Sequence, residues 1–164
     1  MCLPIDTSKF LRGFETNYSG NKLEPEFLEL EITESLMLDA TYAAFILKEL
    51  KKIGVSISID DFGTGYSSLS SINQLPIDRI KIDKTFINSM LSNSKEKTLV
   101  KAMVEMGRNL NVELVAEGVE YEEQEKALRD LKCHMGQGYL YSPPVSINEI
   151  ENMLTLVKVE STVI

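Results

Sequence analysis

Hydrophobic and polar positions alternate with two different periods along this chain. Leu28-Glu29-Leu30-Glu31-Ile32 repeats every second residue, and so does Val55-Ser56-Ile57-Ser58-Ile59-Asp60. That period marks a β-strand with two unlike faces. Residues 79–83 follow it with Ile80 and Ile82, and residues 112–117 with Val112, Leu114 and Ala116. Residues 138–141 predict a short fifth strand. Between these runs the period lengthens to that of a helix. Residue 39 to about 52 places Ala43, Ile46, Leu47 and Leu50 on one face, and residues 94–110 carry Leu99, Val100, Met103, Val104 and Met106. Shorter helices are predicted over 66–74, 122–131 and 147 to about 157. Gly54 stops the first helix, and Pro143-Pro144 breaks the chain before the last. Upstream, Leu3-Pro4-Ile5 predicts a strand end and residues 9–18 a helix.

Strand and helix alternate strictly, which implies parallel strands joined by helical crossovers. Strand starts near residues 28, 55, 79, 112 and 138 are each one strand-plus-helix unit apart. An open doubly wound sheet and a (β/α) barrel both fit this order. No Gly-x-Gly-x-x-Gly follows the first strand, so a dinucleotide-binding crevice has no support.

The polar phase of the strands carries more information. Strands of a doubly covered parallel sheet read as near-continuous apolar runs, but these do not. Opposite the apolar sets stand Glu29 and Glu31; Ser56, Ser58 and Asp60; Arg79, Lys81 and Asp83; and Glu113, Val115 and Glu117. If helices cover the apolar faces, the polar faces must meet one another, as in the interior of a barrel. Glu31, Asp60, Lys81 and Glu117 then fall at or beside the C-terminal strand ends, where barrel sites are built. Any one such acid is equally well explained as a solvated residue, a helix cap or a surface ion pair. Four strands sharing one polar phase at one end are harder to explain that way. Crowded carboxylates repel and resist desolvation, and a divalent cation removes both problems. Oxygen ligands without His or Cys point to Mg²⁺ or Mn²⁺ rather than zinc.

Composition narrows the classes. The 164 residues suit one domain or part of one, with 43% apolar and 26% charged residues. Seventeen Lys and Arg against 25 Asp and Glu give a net charge of −8, which argues against a DNA- or RNA-polymer binder. Cys2 and Cys133 lack disulfide-framework or zinc spacing. No apolar run approaches a membrane span of about 20 residues, and the first residues lack a signal-peptide pattern. The expectation is a cytoplasmic chain with no membrane insertion of its own. His134, the single histidine, has no catalytic partner at motif spacing, and Tyr121-Glu122-Glu123-Gln124-Glu125 reads as a solvated helix start.

Five segments in order resemble a known family. They are Glu29-Leu30-Glu31-Ile32-Thr33-Glu34-Ser35, Asp60-Asp61-Phe62-Gly63-Thr64-Gly65-Tyr66-Ser67-Ser68-Leu69, Lys81-Ile82-Asp83, Ala116-Glu117-Gly118-Val119-Glu120 and Gln137-Gly138-Tyr139. Together they look like the motifs of the EAL domain, the bacterial phosphodiesterases specific for cyclic di-GMP, over residues 3–150. The resemblance implies a variant TIM-type barrel, α/β in class, that uses Mg²⁺ or Mn²⁺ to hydrolyse one phosphodiester of cyclic di-GMP to linear pGpG. By motif, Glu31, Asp60, Asp61 and Glu117 would be metal ligands, and Lys81 would contact the attacking water and the phosphate. Asp83 and Gln137 would line the substrate pocket, Glu34 would hold the 61–68 loop, and Glu120 would support the site.

The departures from the family pattern set further expectations. The Glu-Ala-Leu segment does not occur, and Pro4 stands at a position where the family has an Asn ligand. A full barrel takes about 250 residues, so the expectation is a single partial domain over residues 1–164, about the C-terminal two-thirds, with five or six of eight strands. It follows that metal binding would be weak and cleavage slow or absent, with hydrolysis a property of the complete parent domain. A membrane anchor or sensory domain would belong to missing upstream segments. The alternative is a catalytically degenerate module that binds cyclic di-GMP or a protein. Open sheet edges predict a homodimer, or association with a missing segment or partner domain.

Overall fold

The computed structural model describes residues 24–34, 40–65, 72–133 and 135–160. The predicted elements at 3–5 and 9–18, most of the one at 66–74, and Ser35, Tyr66 to Leu69 and His134 lie outside them. Among the described residues there are five strands: β1 Glu29–Thr33, β2 Ser56–Phe62, β3 Arg79–Ile82, β4 Glu113–Glu117 and β5 Met135–Gln137. Five helices accompany them: α1 Ala40–Ile53, α2 Lys84–Ser89, α3 Ser94–Leu110, α4 Glu122–Asp130 and α5 Ile147–Glu160. A 3-10 turn, Pro25–Phe27, leads into β1.

All neighbouring strands pair in parallel, in the order β1-β2-β3-β4-β5. An order without reversal has no topological switch point, so the doubly wound alternative is excluded for these strands. The sheet is wound in one direction, as in a TIM-type barrel, and is open among the described residues, with β1 and β5 at its edges. Two boundaries differ from the sequence expectation. The fifth strand is Met135–Gln137, and residues 138–141 are bend and turn. Gln137 therefore ends its strand rather than preceding it. Helix α2 was not expected. It starts on Asp83, whose Oδ1 accepts a hydrogen bond from the Thr85 amide at 2.9 Å and another from the Thr85 hydroxyl, as an N-cap does.

The core lies between the apolar sheet face and the helices. Val55, Ile57, Ile59, Ile80, Ile82 and Ala116 are fully buried under Leu47, Leu50, Ile87, Met90, Val100 and Val104. Helix α3 packs tightly on β4 at Gly107, where an added Cβ would overlap the Leu114 side chain and lie 3.3 Å from the Val112 carbonyl oxygen. Alanine would improve helix propensity by about 1 kcal/mol, but overpacking of this kind costs about 1–3 kcal/mol. We expect Gly107→Ala to destabilise the chain, and Gly107→Ala/Leu114→Ala to lose less than the two single changes summed, both read by urea denaturation. Among the described residues no helix is long and apolar enough to cross a membrane. Ile147, Ile150, Met153 and Leu154 on α5 are exposed.

Candidate active site on the polar sheet face

The polar phase of the strands meets on one face, in two layers. At the N-terminal end Arg79 on β3 bonds Glu113 on β4, through Nη2 at 2.7 Å and Nε at 3.2 Å, and its Nη1 bonds Glu29 on β1. Two residues further along β1 and β3, and four further along β4, Lys81 Nζ is bonded to Glu31 Oε1 at 2.8 Å, to Asp60 Oδ1 of β2 at 2.9 Å and to Glu117 Oε1 at 2.8 Å. In both layers a cation on β3 reaches a carboxylate on β1 across the intervening strand. Neighbouring strands are about 4.8 Å apart, so this span requires a sheet curved with its polar side inward. Serines on β2 (Ser56 and Ser58) leave room for the long β3 side chains to pass. Ser58 is fully buried between the layers, its Oγ without a hydrogen-bond partner among the described residues.

A bulge brings a second aspartate to this layer. Ile59 pairs with Ile80 and Phe62 with Ile82, so Asp60 and Asp61 together stand opposite Lys81 alone. In a regular strand these two neighbours would point to opposite faces. The extra residue, with Asp61 in the left-handed region at φ 52°, breaks that alternation, as bulges beside active sites do. Carboxylate oxygens of Asp60, Asp61 and Glu117 consequently lie within 4.8 Å of one another. Glu31 is not in that cluster and meets the site through Lys81. The chain leaves the bulge through Gly63, at φ 100°, where an added Cβ would sit 2.6 Å from the Phe86 ring and 2.7 Å from the Met103 methyl. Glu34, buried after β1, accepts the Gly63 and Gly65 amides on Oε2 at 3.2 and 2.9 Å.

The electrostatics follow from this crowding. Lys81 is 7% exposed. Desolvation alone would lower its pKa, but the hydrogen bonds that it donates to Glu117, Glu31 and Asp60 outweigh it and hold the ammonium well above the ordinary lysine value. Lys81 is therefore a fixed cation and hydrogen-bond donor at neutral pH, not a base. Desolvation, joined by the charges of Asp60 and Asp61, raises the Glu117 carboxyl despite the Lys81 contact. Asp61 is raised by desolvation and by the charges of Asp60 and Asp83. Asp83 is held low: burial would raise it, but its bonds with Thr85 and Asp61 prevail. Four carboxylates thus surround one ammonium, and their surplus negative charge with all-oxygen donors is the chemistry that a Mg²⁺- or Mn²⁺-class cation fits.

The remaining expected residues lie around this centre. Gln137 donates from Nε2 to Glu117 Oε1 at 3.1 Å. Asp83, beside Asp61, caps α2. Glu120 is exposed and lines, with Lys84, Gln137, Tyr139 and Ser142, a cavity of about 580 Å³ next to the carboxylates. One residue in the stretch read as a solvated helix start is not solvated. Gln124 is 2% exposed and fully hydrogen-bonded. Its only sequence signal is the capping-box spacing three residues after Tyr121.

The chain matches the EAL domain family over residues 4–144. It is 47% identical over 131 residues to the bifunctional diguanylate cyclase/cyclic di-GMP phosphodiesterase MucR of Pseudomonas aeruginosa, an alignment covering 79% of this chain and 19% of that protein. It is 42% identical over 129 residues to the cyclic di-GMP phosphodiesterase NbdA of the same organism, covering 78% and 16%. The chain thus spans less than a fifth of the length of these relatives. Among solved structures it superposes on the MucR phosphodiesterase in its c-di-GMP complex with a TM-score of 0.79 and 43% identity, over 87% of this chain and 57% of the other. A manganese/cyclic di-GMP complex of Klebsiella pneumoniae BlrP1 gives 0.75 and 29%, over 82% and 34%.

Proposed function

The chain belongs to the EAL domain family, and from that premise we propose that its polar sheet face serves divalent-metal-dependent hydrolysis of cyclic di-GMP. One observation carries the reading: Lys81 bonded at once to Glu31, Asp60 and Glu117, with Asp61 brought beside them by the β2 bulge. Asp60, Asp61 and Glu117 would hold the cation, with Glu31 beside them on the same ammonium. A bound Mg²⁺ or Mn²⁺ supplies an acidified water and screens phosphate charge.

The chain's own residues do the rest. Lys81, protonated, donates to the phosphate oxygen that gains charge as water attacks phosphorus. The P–O3′ bond breaks, the water's oxygen stays on phosphorus and a proton passes to the leaving 3′ oxygen, which gives a linear dinucleotide with a 5′ phosphate. Gln137 fixes Glu117, and Glu34 holds the loop that follows Asp61. The cavity lined by Lys84, Glu120, Gln137 and Tyr139 opens beside this centre and has room for part of a dinucleotide. The outer edges of β1 and β5 are the places where a second copy or a further segment would pair, and light scattering over a concentration series tests the former. The activity test is cyclic di-GMP turnover with Mn²⁺. We expect linear product at less than about 1 s⁻¹, the low end of enzymatic rates, and none from Asp60→Asn. Equal turnover by wild type and Asp60→Asn, or metal-independent turnover, would overturn the assignment.

A further inference from the structure

The amide of Gln124 lies outside the carboxylate site yet joins a loop and a helix that frame it. Gln124 sits in the first turn of α4 and is 2% exposed. Its Oε1 accepts the backbone amides of Glu120 at 2.8 Å and Tyr121 at 3.0 Å. Its Nε2 donates to the Ile87 carbonyl at 3.2 Å and to Asn88 Oδ1 at 3.4 Å. One side chain therefore ties the loop leaving β4 to α2, the helix that Asp83 caps. That loop is tied to β5 on its other side: the Val119 amide donates to the Gln137 carbonyl at 3.1 Å, and the Leu140 amide to the Val119 carbonyl at 3.0 Å. Gln137 in turn holds Glu117 through its own side chain.

From this chain of contacts we infer that Gln124 is a positioning residue: by docking the β4–α4 loop on α2 it sets Gln137 against Glu117 and so fixes the carboxylate that Lys81 holds. A buried carboxamide with both ends bonded is costly to replace by an apolar group, because its partners then lose their hydrogen bonds. The two partners on the loop side, Glu120 and Tyr121, are backbone amides, so the penalty falls on the loop's position rather than on another side chain. The inference rests on the metal-binding reading for its consequence at the site, but the loop coupling is observable without metal.

The test compares the full chain with Gln124→Leu, Gln124→Glu and Leu128→Ala. Leu128 is buried on the same helix and outside the site, so its truncation reports plain loss of helix packing. Gln124→Glu keeps the acceptor for both loop amides and gives up the donor to Ile87. Amide exchange is read by NMR at Val119 and Leu140, whose amides donate to other partners than Gln124, and Mn²⁺ affinity by calorimetric titration. Gln124→Leu should speed exchange at both amides and weaken Mn²⁺ by at least about ten-fold, the usual size of an outer-shell loss. Gln124→Glu, which can no longer donate to α2, should show the same two losses, and Leu128→Ala should leave the affinity unchanged. Unchanged exchange in Gln124→Leu, wild-type exchange and affinity in Gln124→Glu, or an equal effect of Leu128→Ala would overturn the inference. If the wild type binds no Mn²⁺, the metal-binding reading falls, and the exchange rates alone still decide the positioning role.

Discussion

Lys81→Met destabilises the metal-free chain by about 3 kcal/mol at pH 7, the cost of removing one partner from a buried ion cluster. The methionine fills the space of the lysine stem, so no cavity accounts for the loss. What remains is Glu31, Asp60 and Glu117 converging on a position with no cation. Without Lys81 the Glu117 carboxyl, already raised, loses its cationic partner and rises further beside the charges of Asp60 and Asp61. A carboxyl whose pKa is higher folded than unfolded binds its proton more tightly in the native state, so stability falls as pH rises through that interval. The variant should therefore regain part of its loss on acidification toward pH 5, as Glu117 takes up a proton. In the wild type Lys81 gives a pH dependence of the same sign, placed at alkaline pH. Its raised pKa gives stability that is complete below the ordinary lysine value and is lost only as pH climbs through the folded one. Urea denaturation of both proteins at pH 5 and 7 checks this. A stability gap that is the same at both pH values would show that the three carboxylates do not interact through this position.

Asp60→Asn and Glu117→Gln should have the largest effect on ligand binding and almost none on the metal-free fold. Either amide can still accept from Lys81, so metal-free stability should change by less than about 1 kcal/mol. Each change removes an anionic oxygen donor from the Asp60, Asp61 and Glu117 cluster. The fall in Mn²⁺ affinity should exceed about 100-fold, the upper end for outer-shell changes. Thermal melts make the contrast visible. At Mn²⁺ about 100 times its dissociation constant the wild type gains about 2.7 kcal/mol, and both variants should gain nothing measurable. Glu117 and Asp61 have raised pKa values, so metal-free wild type should lose some stability as pH rises above the ordinary carboxylate range. Mn²⁺ should remove that loss. Variants that melt like the wild type with and without metal would return these acids to a purely structural role.

The parts of this structure that repeat locally were legible in the amino-acid order. The two-residue period at 28–32 and 55–60 and the helical period at 94–110 depend only on near neighbours, and β1, β2 and α3 lie within one or two residues of those bounds. The shared polar phase likewise placed Glu31, Asp60, Lys81 and Glu117 on one face, because a parallel register carries that phase from strand to strand. What depends on distant partners was not legible. Met135-Gly136-Gln137 has no alternation to mark it, and it is a strand because β4 pairs with it, whereas the aromatic 138–141 run looked more strand-like and turns instead. Six residues of α2 are too few to show a helical period. The bulge at Asp61 exists only in the pairing of β2 with β3. Gln124 sits in an acidic run that reads as solvated, and its burial depends on Ile87 and Asn88, 37 and 36 residues away.

The most direct test of the central claim is the anomalous scattering of manganese in crystals of the full chain grown with Mn²⁺ and cyclic di-GMP. The account predicts a peak between the carboxylates of Asp60, Asp61 and Glu117, with Lys81 Nζ turned to the phosphate and Gln137 still on Glu117. Crystals in which these three side chains keep their metal-free arrangement around Lys81, with manganese absent or bound elsewhere, would contradict it.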